Sequence, residues 1–371
     1  MVFLSKKKPT SHDVARLAGV SQSTVSMILN NKPDVSFLPE TIEKVYSAAR
    51  QLNYKVRRPR QTTLSKQDQF IAVVTPTLAN PYYSTLVQSL ENQAALHQYG
   101  VLACNTYHDP ATENHYLDLF SKSGLKGIVY AFMPYHWEKV KALSLSIPTV
   151  VIGDKNQSID IDTVELNSTE AGQLLAAHLL ELGHKKMVFI TTPLGENNLP
   201  RIRRLEGMRS QIKKAGAELL LLESNKRLKS HRHQRNLEYN VGYELAKPLL
   251  NDDSITAYIA VNDMIAYGIL DALISENIKV PQECSVAGFD NIFPSRFAPI
   301  SLTTIDSFIV EKGHDAFELL FRKMCHEKKK SPAGICRIEY KPALVIRDST
   351  GPAPKKIGKP APLPEGSSAL N

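Results

Sequence analysis

Several features that define specialised protein classes are missing from this 371-residue chain. It has only four cysteines, without the paired spacing of a zinc site or a disulfide framework, so we expect reduced thiols. It has no uncharged stretch long enough to span a bilayer and no apolar N-terminal segment of the kind that directs secretion. We therefore expect a cytoplasmic protein with no membrane partner.

The sequence patterns of common enzymes are missing as well. The chain contains neither of the two common glycine-rich phosphate loops and no Gly-x-Ser-x-Gly elbow. Asp154 and Asp290 could form the acid pair of a hydrolase, but nothing in the sequence sets their separation. His231 and His233 lie in a basic insertion, around 224–236, which fits a solvated loop better than a metal site. The sequence predicts neither an enzyme nor a cofactor.

Positive charge is concentrated at one end of the chain. Residues 1–69 contain 12 Lys/Arg and 5 Asp/Glu, which accounts for most of the net charge of +8. The rest is nearly neutral, apart from a proline- and lysine-rich tail. A basic head on a neutral body is typical of a protein that binds a polyanion; the alternative is a solvated basic arm.

An ordered pattern within the basic head argues against a solvated arm. Two short helical segments flank Gly19, which can take the left-handed conformation of a tight turn, and Ser21 can cap the second. A third helix is predicted over 40–53. Apolar residues at helical spacing predict a shared core: Val14, Leu17, Ala18, Val25, Ile28, Leu29, Ile42, Val45, Ala49 and Leu52. Short polar residues on the outer face of the second helix suit the DNA major groove.

The run from Asp13 to Asn30, DVARLAGVSQSTVSMILN, resembles the headpiece of the lac repressor/galactose repressor family of bacterial transcription regulators. The resemblance implies a repressor that binds double-stranded DNA. It also implies a homodimer, because one headpiece reads only half of a near-palindromic operator. The resemblance places Ser21, Gln22, Ser23, Ser26 and Met27 on the recognition helix and Asn30 near its end. The full set of expected DNA-binding residues lies in the head and the hinge: Thr10, Ser21, Gln22, Ser23, Ser26, Met27, Asn30, Tyr54, Arg57, Arg58, Arg60 and Leu64.

The head and hinge depart from the family pattern in three places. The family usually has arginine where this chain has Met27, so one guanine contact is missing. Two extra residues follow Ser36. The hinge lacks the family's alanine-rich helix. Thr63 stands where relatives have the leucine that inserts into the minor groove, and Leu64 follows one position later. We expect major-groove binding with little minor-groove bending, and a hinge held by phosphate contacts.

From Phe70 onward, short β-branched runs alternate with amphipathic segments. Strands are predicted at 71–74, 101–104, 127–130, 149–152, 187–190, 219–222, 257–261 and 286–289, and helices at 81–99, 113–122, 168–182, 201–215 and 264–276. This alternation predicts an α/β fold with two parallel sheets, which is a two-lobed body of the periplasmic-binding-protein type. Motifs of this body resemble the same family as far as residue 350.

These patterns divide the chain into four parts. A helix-turn-helix headpiece is followed by a hinge, an effector-binding and dimerisation body, and a disordered tail without heptads. The expected bounds are 1–56 for the headpiece, 57–69 for the hinge, 70–350 for the body and 351–371 for the tail. Within the body, lobe one is expected at about 70–166 and 306–334, and lobe two at about 167–305 and 335–350.

Polar residues that follow predicted strands would meet in a cleft between the lobes, because ligands of open α/β sheets bind beyond the carboxyl ends of the strands. An arginine fork, carboxylates and aromatic faces suit a sugar or sugar phosphate. The resemblance places effector contacts on four of these residues: Asp154, Arg204, Asn262 and Asp290. The full set of expected effector-binding residues is Asn80, Tyr82, Tyr83, Phe132, Asp154, Arg204, Asn262 and Asp290.

Purely structural roles are also open to these residues. Asn262 and Asp263 could cap a helix, Arg204 could form a surface ion pair, and one of the two tyrosines could be core. For the whole chain, the alternative is a regulator controlled by a protein partner or by no ligand, which would leave the cleft vestigial. A transport receptor would need a secretion signal and would have no use for residues 10–54.

Overall fold

The computed structural model describes residues 9–29, 37–54, 69–154, 160–195, 198–224, 236–297, 299–326 and 334–354. The chain divides into two units, Met1–Ser65 and Lys66–Asn371, which we describe separately. None of the helices in the described ranges combines the length and apolarity needed to cross a membrane.

The first unit contains three helices, as predicted: α1 (Ser11–Ala18), α2 (Gln22–Leu29) and α3 (Pro39–Gln51). Thr10 caps α1 in a reciprocal capping box with Asp13, and Gly19 ends it with a φ of 66°. The buried core consists of Val14, Ala15, Val25, Ile28, Val45, Ala48 and Ala49.

The predicted core was wrong at Leu17, which is 50% exposed. Val14 is buried as predicted, Ala15 is buried beside it, and Ala18 packs against both. Because successive residues turn by about 100° around a helix, a core centred on these three residues leaves Leu17 at its rim.

The second unit has two six-stranded sheets. The first contains β1 (Phe70–Thr75), β2 (Gly100–Asn105), β3 (Gly127–Tyr130), β4 (Thr149–Asp154), β5 (Asp162–Leu166) and β11 (Arg337–Tyr340). The second contains β6 (Lys186–Thr191), β7 (Glu218–Glu223), β8 (Ala257–Ala260), β9 (Ser285–Asp290), β10 (Thr303–Asp306) and β12 (Ala343–Val345). The orders are β11-β5-β4-β3-β1-β2 and β12-β10-β9-β8-β6-β7, and among these strands only β12 pairs antiparallel.

Helices follow most of the strands, as the alternating pattern predicts. Those of lobe one are α4 (Pro81–Leu96), α5 (Pro110–Ser123), α6 (Trp137–Ser144) and α11 (Ile309–His326), and those of lobe two are α7 (Ser168–Glu181), α8 (Leu199–Lys214), α9 (Leu237–Ala246) and α10 (Asp263–Ser275). The central strands are buried on both faces, which explains their continuous apolar sequences. Each sheet has its own apolar core.

The chain passes between the lobes three times in the described ranges: at Asn167, at 307–308 and at 341–342. The predicted boundary was wrong at the last crossing, because residues 337–340 pair with β5 of the first sheet instead of joining lobe two. β11 is a half-exposed edge strand, so its sequence RIEY lacks the apolar run of a central strand.

Other parts of the fold were not predicted. The missed elements are β5, β10, β11, α6, α9 and α11. Several predictions fall on residues outside the described ranges: Asn30, Ser36, Arg57, Arg58, Arg60, Thr63, Leu64, His231, His233 and most of the tail.

Helices α7 and α8 pack at a pair of glycines. A Cβ atom on Gly172 would lie 2.1 Å from the carbonyl oxygen of Arg204, and one on Gly207 would lie 2.1 Å from that of Thr169. The two backbones can approach this closely only because both side chains are absent, and the contact fixes the backbone of Arg204.

We expect Gly172→Ala to lower the free energy of unfolding by about 1–3 kcal/mol. Alanine favours a helix by about 1 kcal/mol, but a backbone oxygen cannot yield to the new methyl group as a flexible side chain would. Urea unfolding measures the change. Gly195→Ala is the control, because its Cβ would meet nothing within 4 Å. Equal stability of Gly172→Ala and the wild type would contradict the close packing.

Candidate functional site

The start of α2 presents the short polar surface that the sequence predicts. Ser21, Gln22, Ser23 and Ser26 are exposed, and Met27 is half-buried. The Oγ atom of Ser21 accepts a hydrogen bond from the Thr24 backbone N–H at 3.1 Å and so caps the helix. These side chains are therefore held on an ordered helix end and face solvent.

The other described residues of the predicted DNA surface also have roles within the first unit. Thr10 caps α1. Tyr54 packs against the headpiece core, and its backbone N–H donates to Ala49 at 2.9 Å. Gln22 donates through Nε2 to Ser11 Oγ at 3.0 Å, which ties the start of α2 to the start of α1.

A cavity of about 120 Å³ lies between the two lobes of the second unit. Its lining includes seven of the eight predicted effector-binding residues: Asn80, Tyr82, Tyr83, Phe132, Arg204, Asn262 and Asp290. Pockets for drug-sized ligands measure about 300–1,000 Å³, so this cavity suits a small ligand.

Asp154 is the predicted residue that does not line the cavity. Its side chain is buried and accepts hydrogen bonds from the Ser168 backbone N–H at 3.0 Å and from Arg203 at 3.2 Å. Both donors belong to lobe two, whereas Asp154 ends a strand of lobe one. This carboxylate therefore links the lobes.

A buried ion pair forms one wall of the cavity. Arg204 Nη2 lies 3.3 Å from Asp290 Oδ1, and Arg204 Nη1 donates to the Val261 carbonyl at 2.6 Å. The guanidinium also lies 4.7 Å from the centre of the Phe289 ring. Burial raises the pKa of Asp290, and the charge of Arg204 acts against that rise. Arg204 is thus buried and fixed, unlike a surface ion pair.

Asp290 sits in a strained backbone conformation, with a φ of 115°. Such conformations cost on the order of 1–3 kcal/mol and persist where the surrounding structure imposes them. The hydroxyl of Ser307 donates to the same Asp290 oxygen at 3.3 Å. The strain and these contacts hold the carboxylate at the cavity wall.

Glu238 connects both lobes around the cavity. Its carboxylate accepts from Asn80 Nδ2 at 2.7 Å, from Asn262 Nδ2 at 2.7 Å and from Arg201 Nη2 at 3.0 Å. Asn80 belongs to lobe one, and the other three residues belong to lobe two. This single carboxylate therefore fixes the orientation of three polar side chains that line the cavity.

Asn262 combines the two roles that the sequence left open. Its Oδ1 accepts from the Ile265 N–H at 3.0 Å and caps α10, while its amide lines the cavity. Asp263 has a structural role, because its carboxylate accepts from Thr304 Oγ1 at 2.6 Å and Ser295 Oγ at 2.7 Å. Burial raises the pKa of Asp263 to about 7.

Aromatic rings form much of the remaining wall. Tyr82 and Tyr83 meet edge to face at 5.0 Å, and Phe132 meets Tyr135 in the same way at 6.3 Å. Both adjacent tyrosines also pack against the lobe-one core. Burial raises their pKa, so they face the cavity as neutral phenols.

The sequence patterns missed several residues of the lining, among them Ser168, Asn198, Arg201, Ser307 and Lys312. Arg201 was detectable, because it lies one helical turn before Arg204. Glu238 and Lys312 lie on helices α9 and α11, which were not predicted. No local pattern could therefore place them at the site.

Lys312 is 3% exposed and lines the cavity. Burial, with a smaller contribution from the charge of Arg204, lowers the pKa of this lysine to about 8. The cavity thus combines fixed donors, fixed acceptors and aromatic faces. Such a set can bind a small ligand with several hydroxyl groups. Within the described ranges, no three His, Cys, Asp or Glu side chains are grouped so that they could hold a metal ion.

Comparisons with known families match both units. The family described as "Bacterial regulatory proteins, lacI family" matches residues 10–56, and "Periplasmic binding proteins and sugar binding domain of LacI family" matches residues 68–341. The repressor PurR of Haemophilus influenzae is 31% identical over 347 residues, covering 92% of this chain and 98% of the relative. The regulator DegA of Bacillus subtilis is 30% identical over 355 residues, covering 93% and 99%.

Solved structures share the fold. A LacI family transcriptional regulator from Enterococcus faecium with bound ribose superposes with a TM-score of 0.66 at 24% identity, covering 76% of this chain and 99% of that one. The transcriptional regulator CelR in complex with cellobiose superposes with a TM-score of 0.61 at 20% identity, covering 92% and 99%.

We expect Lys312→Met to be more stable than the wild type at pH 7 by on the order of 3 kcal/mol. Folding lowers the pKa of Lys312 from its ordinary value of 10.5 to about 8, and a pKa difference of one corresponds to about 1.4 kcal/mol. Below pH 8 the folded wild type holds a costly buried charge. Between about pH 8 and 10.5 the unfolded chain binds more protons than the folded chain, so the wild type gains stability as the pH rises.

Urea unfolding of both proteins at pH 7 and pH 10 tests this expectation. The difference in unfolding free energy should shrink at the higher pH. Arg322→Met, on the exposed side of the same helix, should change stability by less than about 0.5 kcal/mol. A wild type that is more stable than Lys312→Met at pH 7 would contradict the expectation.

Proposed function

The chain belongs to the LacI family of bacterial transcription regulators, and we propose that a small sugar or sugar phosphate in its interlobe cavity controls its affinity for operator DNA. It is a DNA-binding transcriptional repressor and not an enzyme. We further propose that it binds a near-palindromic operator as a homodimer in the bacterial cytoplasm, where the DNA lies.

The observation that carries the ligand proposal is the convergence of polar groups from both lobes. Arg204, Asp290 and Asn262 come from lobe two, and Asn80 comes from lobe one, yet all line one cavity. An arginine beside a carboxylate offers donors and acceptors to neighbouring hydroxyls, which an apolar core contact would not require. The similar structures that hold ribose and cellobiose support a sugar as the ligand class.

Control of DNA binding requires a ligand that prefers one arrangement of the lobes over another. The cavity meets this requirement because its walls come from both lobes, so an occupant touches both. Three of the hydrogen bonds described above already cross the gap: Asn80 to Glu238 at 2.7 Å, Arg203 to Asp154 at 3.2 Å and the Ser168 N–H to Asp154 at 3.0 Å. A ligand that competes with these links or adds to them would shift the balance between arrangements.

The first test concerns the exposed face of α2. We expect Gln22→Ala and Ser23→Ala each to weaken binding to the operator by about 1–3 kcal/mol, the value of one good base contact. Non-specific DNA binding should persist and should weaken steeply with salt. The probe is a near-palindromic duplex selected from random DNA by the full chain, and fluorescence anisotropy measures the affinity.

Ser47→Ala is the matched control, because Ser47 is an exposed serine of the same unit on α3. It should bind the operator as the wild type does. The assignment of α2 as the recognition helix fails if the control and the α2 variants lose operator affinity equally.

The second test concerns the cavity. Asp290→Asn keeps the size of the side chain and removes one charge, and we expect it to weaken ligand binding by about 1.5–3 kcal/mol. Operator affinity without ligand should remain unchanged. The measurement is operator binding by the wild type and the variant, with and without each member of a panel of sugars and sugar phosphates.

Lys247→Ala serves as the control for charge removal in lobe two, because Lys247 forms an exposed ion pair with Glu276 at 3.8 Å. It should respond to the ligand as the wild type does. If no sugar or sugar phosphate changes the operator affinity of the wild type, ligand control is wrong. Regulation by a protein partner, or without a ligand, would then be favoured.

A further inference from the structure

Lys312 is the one lysine or arginine of the cavity lining that has no acidic partner within the described ranges. It lies in the first turn of α11, and its side chain is buried. No hydrogen-bond acceptor in the described part of the chain contacts its ammonium group, and no carboxylate there lies within 4.0 Å. Burying an ammonium in this way is costly unless something binds it.

The two arginines of the lining are already matched. Arg201 pairs with Glu238 at 3.0 Å, and Arg204 pairs with Asp290 at 3.3 Å. The charge of Lys312 is therefore the one in the described lining that no carboxylate matches. A neutral sugar could use the two matched pairs, but it would leave this ammonium without a counter-charge.

The carboxylates that face Lys312 are held by other donors. Its charged neighbours are Arg204, Asp290, Asp154 and Asp306. Asp154 is bound by Arg203 and the Ser168 N–H, and Asp306 accepts from the Phe308 N–H at 2.8 Å and from Asn291 at 2.9 Å. Because these contacts fix the carboxylates, none of them is free to turn and neutralise the lysine.

Lys323, on the same helix, is an example of a lysine with a purely structural role. Lys323 pairs with Asp162 at 3.1 Å, and its side chain is 29% exposed. Lys312 has no such partner, and it is only 3% exposed. Its position in the first turn of α11 adds the positive end of the helix dipole, which also favours an anion.

We propose that the ligand of this cavity is a polyhydroxylated anion, with a phosphate ester or a carboxylate, and that Lys312 binds its charged group. This inference rests on the proposed function and adds the charge of the ligand and the residue that selects it. Arg204, Asp290 and Asn262 would hold the hydroxyl groups, and the anionic group would lie against α11.

Calorimetry with matched compounds tests the charge preference. The pairs are ribose and ribose 5-phosphate, glucose and glucose 6-phosphate, and glucose and gluconate, with inorganic phosphate alone as a further probe. The wild type should bind at least one anion tenfold or more tightly than its neutral counterpart. Whether a phosphate ester or a carboxylate is preferred follows from the same panel.

Lys312→Met should lose about 10- to 150-fold in affinity for that anion, which corresponds to a hydrogen bond to a charged group. Its affinity for the neutral counterpart should stay the same or rise, which a general loss of structure would not produce. Arg322→Met removes a positive charge from the exposed side of α11 and should keep the full preference.

Two readouts separate this inference from the proposed function. A wild type that binds neutral sugars as tightly as anions, or a Lys312→Met variant that keeps the preference, overturns the inference. The proposed function survives that result if a neutral sugar still changes operator affinity. A panel in which anions bind with the expected preference but operator affinity never changes supports the inference on ligand charge and overturns ligand control of DNA binding.

Discussion

The parallel direction of the strands determines where the chemistry of this molecule can lie. In parallel sheets, all strands end at the same side, and each following helix begins there. The N-termini of α4, α7, α8, α10 and α11 consequently border one cavity, with residues such as Asn80, Ser168 and Asn262 at or beside their first turns. The positive ends of the helix dipoles make this place favourable for carboxylates and for acidic ligands.

Several charged and polar groups near the cavity pair between the lobes as well as within them. Glu238 accepts from Asn80 across the gap, and Asp154 is held by Arg203 of the facing lobe. In a poorly hydrated interior, each such group is stable only while its partner remains in place. Separating the lobes would therefore break these hydrogen bonds and expose polar groups that need water in place of their partners.

The sequence predicted the residues that depend on topology and missed those that depend on tertiary contacts. Asn80, Asn262 and Asp290 line one cavity because each follows or ends a buried apolar strand, and parallel strands end together. Asp154 follows the same rule, yet its carboxylate turns to donors of the facing lobe. Lys312 was missed because the polar, short strand β10 before it gives no apolar signal. The predicted bounds of the lobes were wrong at β11, because an edge strand gives no continuous apolar run.

The three crossings between the lobes leave from β5, β10 and β11, which lie toward one edge of their sheets, while β2 and β7 form the opposite edges. Three short tethers on one side prevent the lobes from sliding apart or exchanging faces, but they permit rotation about an axis along that edge. Rotation about that edge is the relative motion that these tethers restrict least. A displacement of an ångström in the cavity becomes a larger displacement at β2 and β7, in proportion to their distance from the tethers.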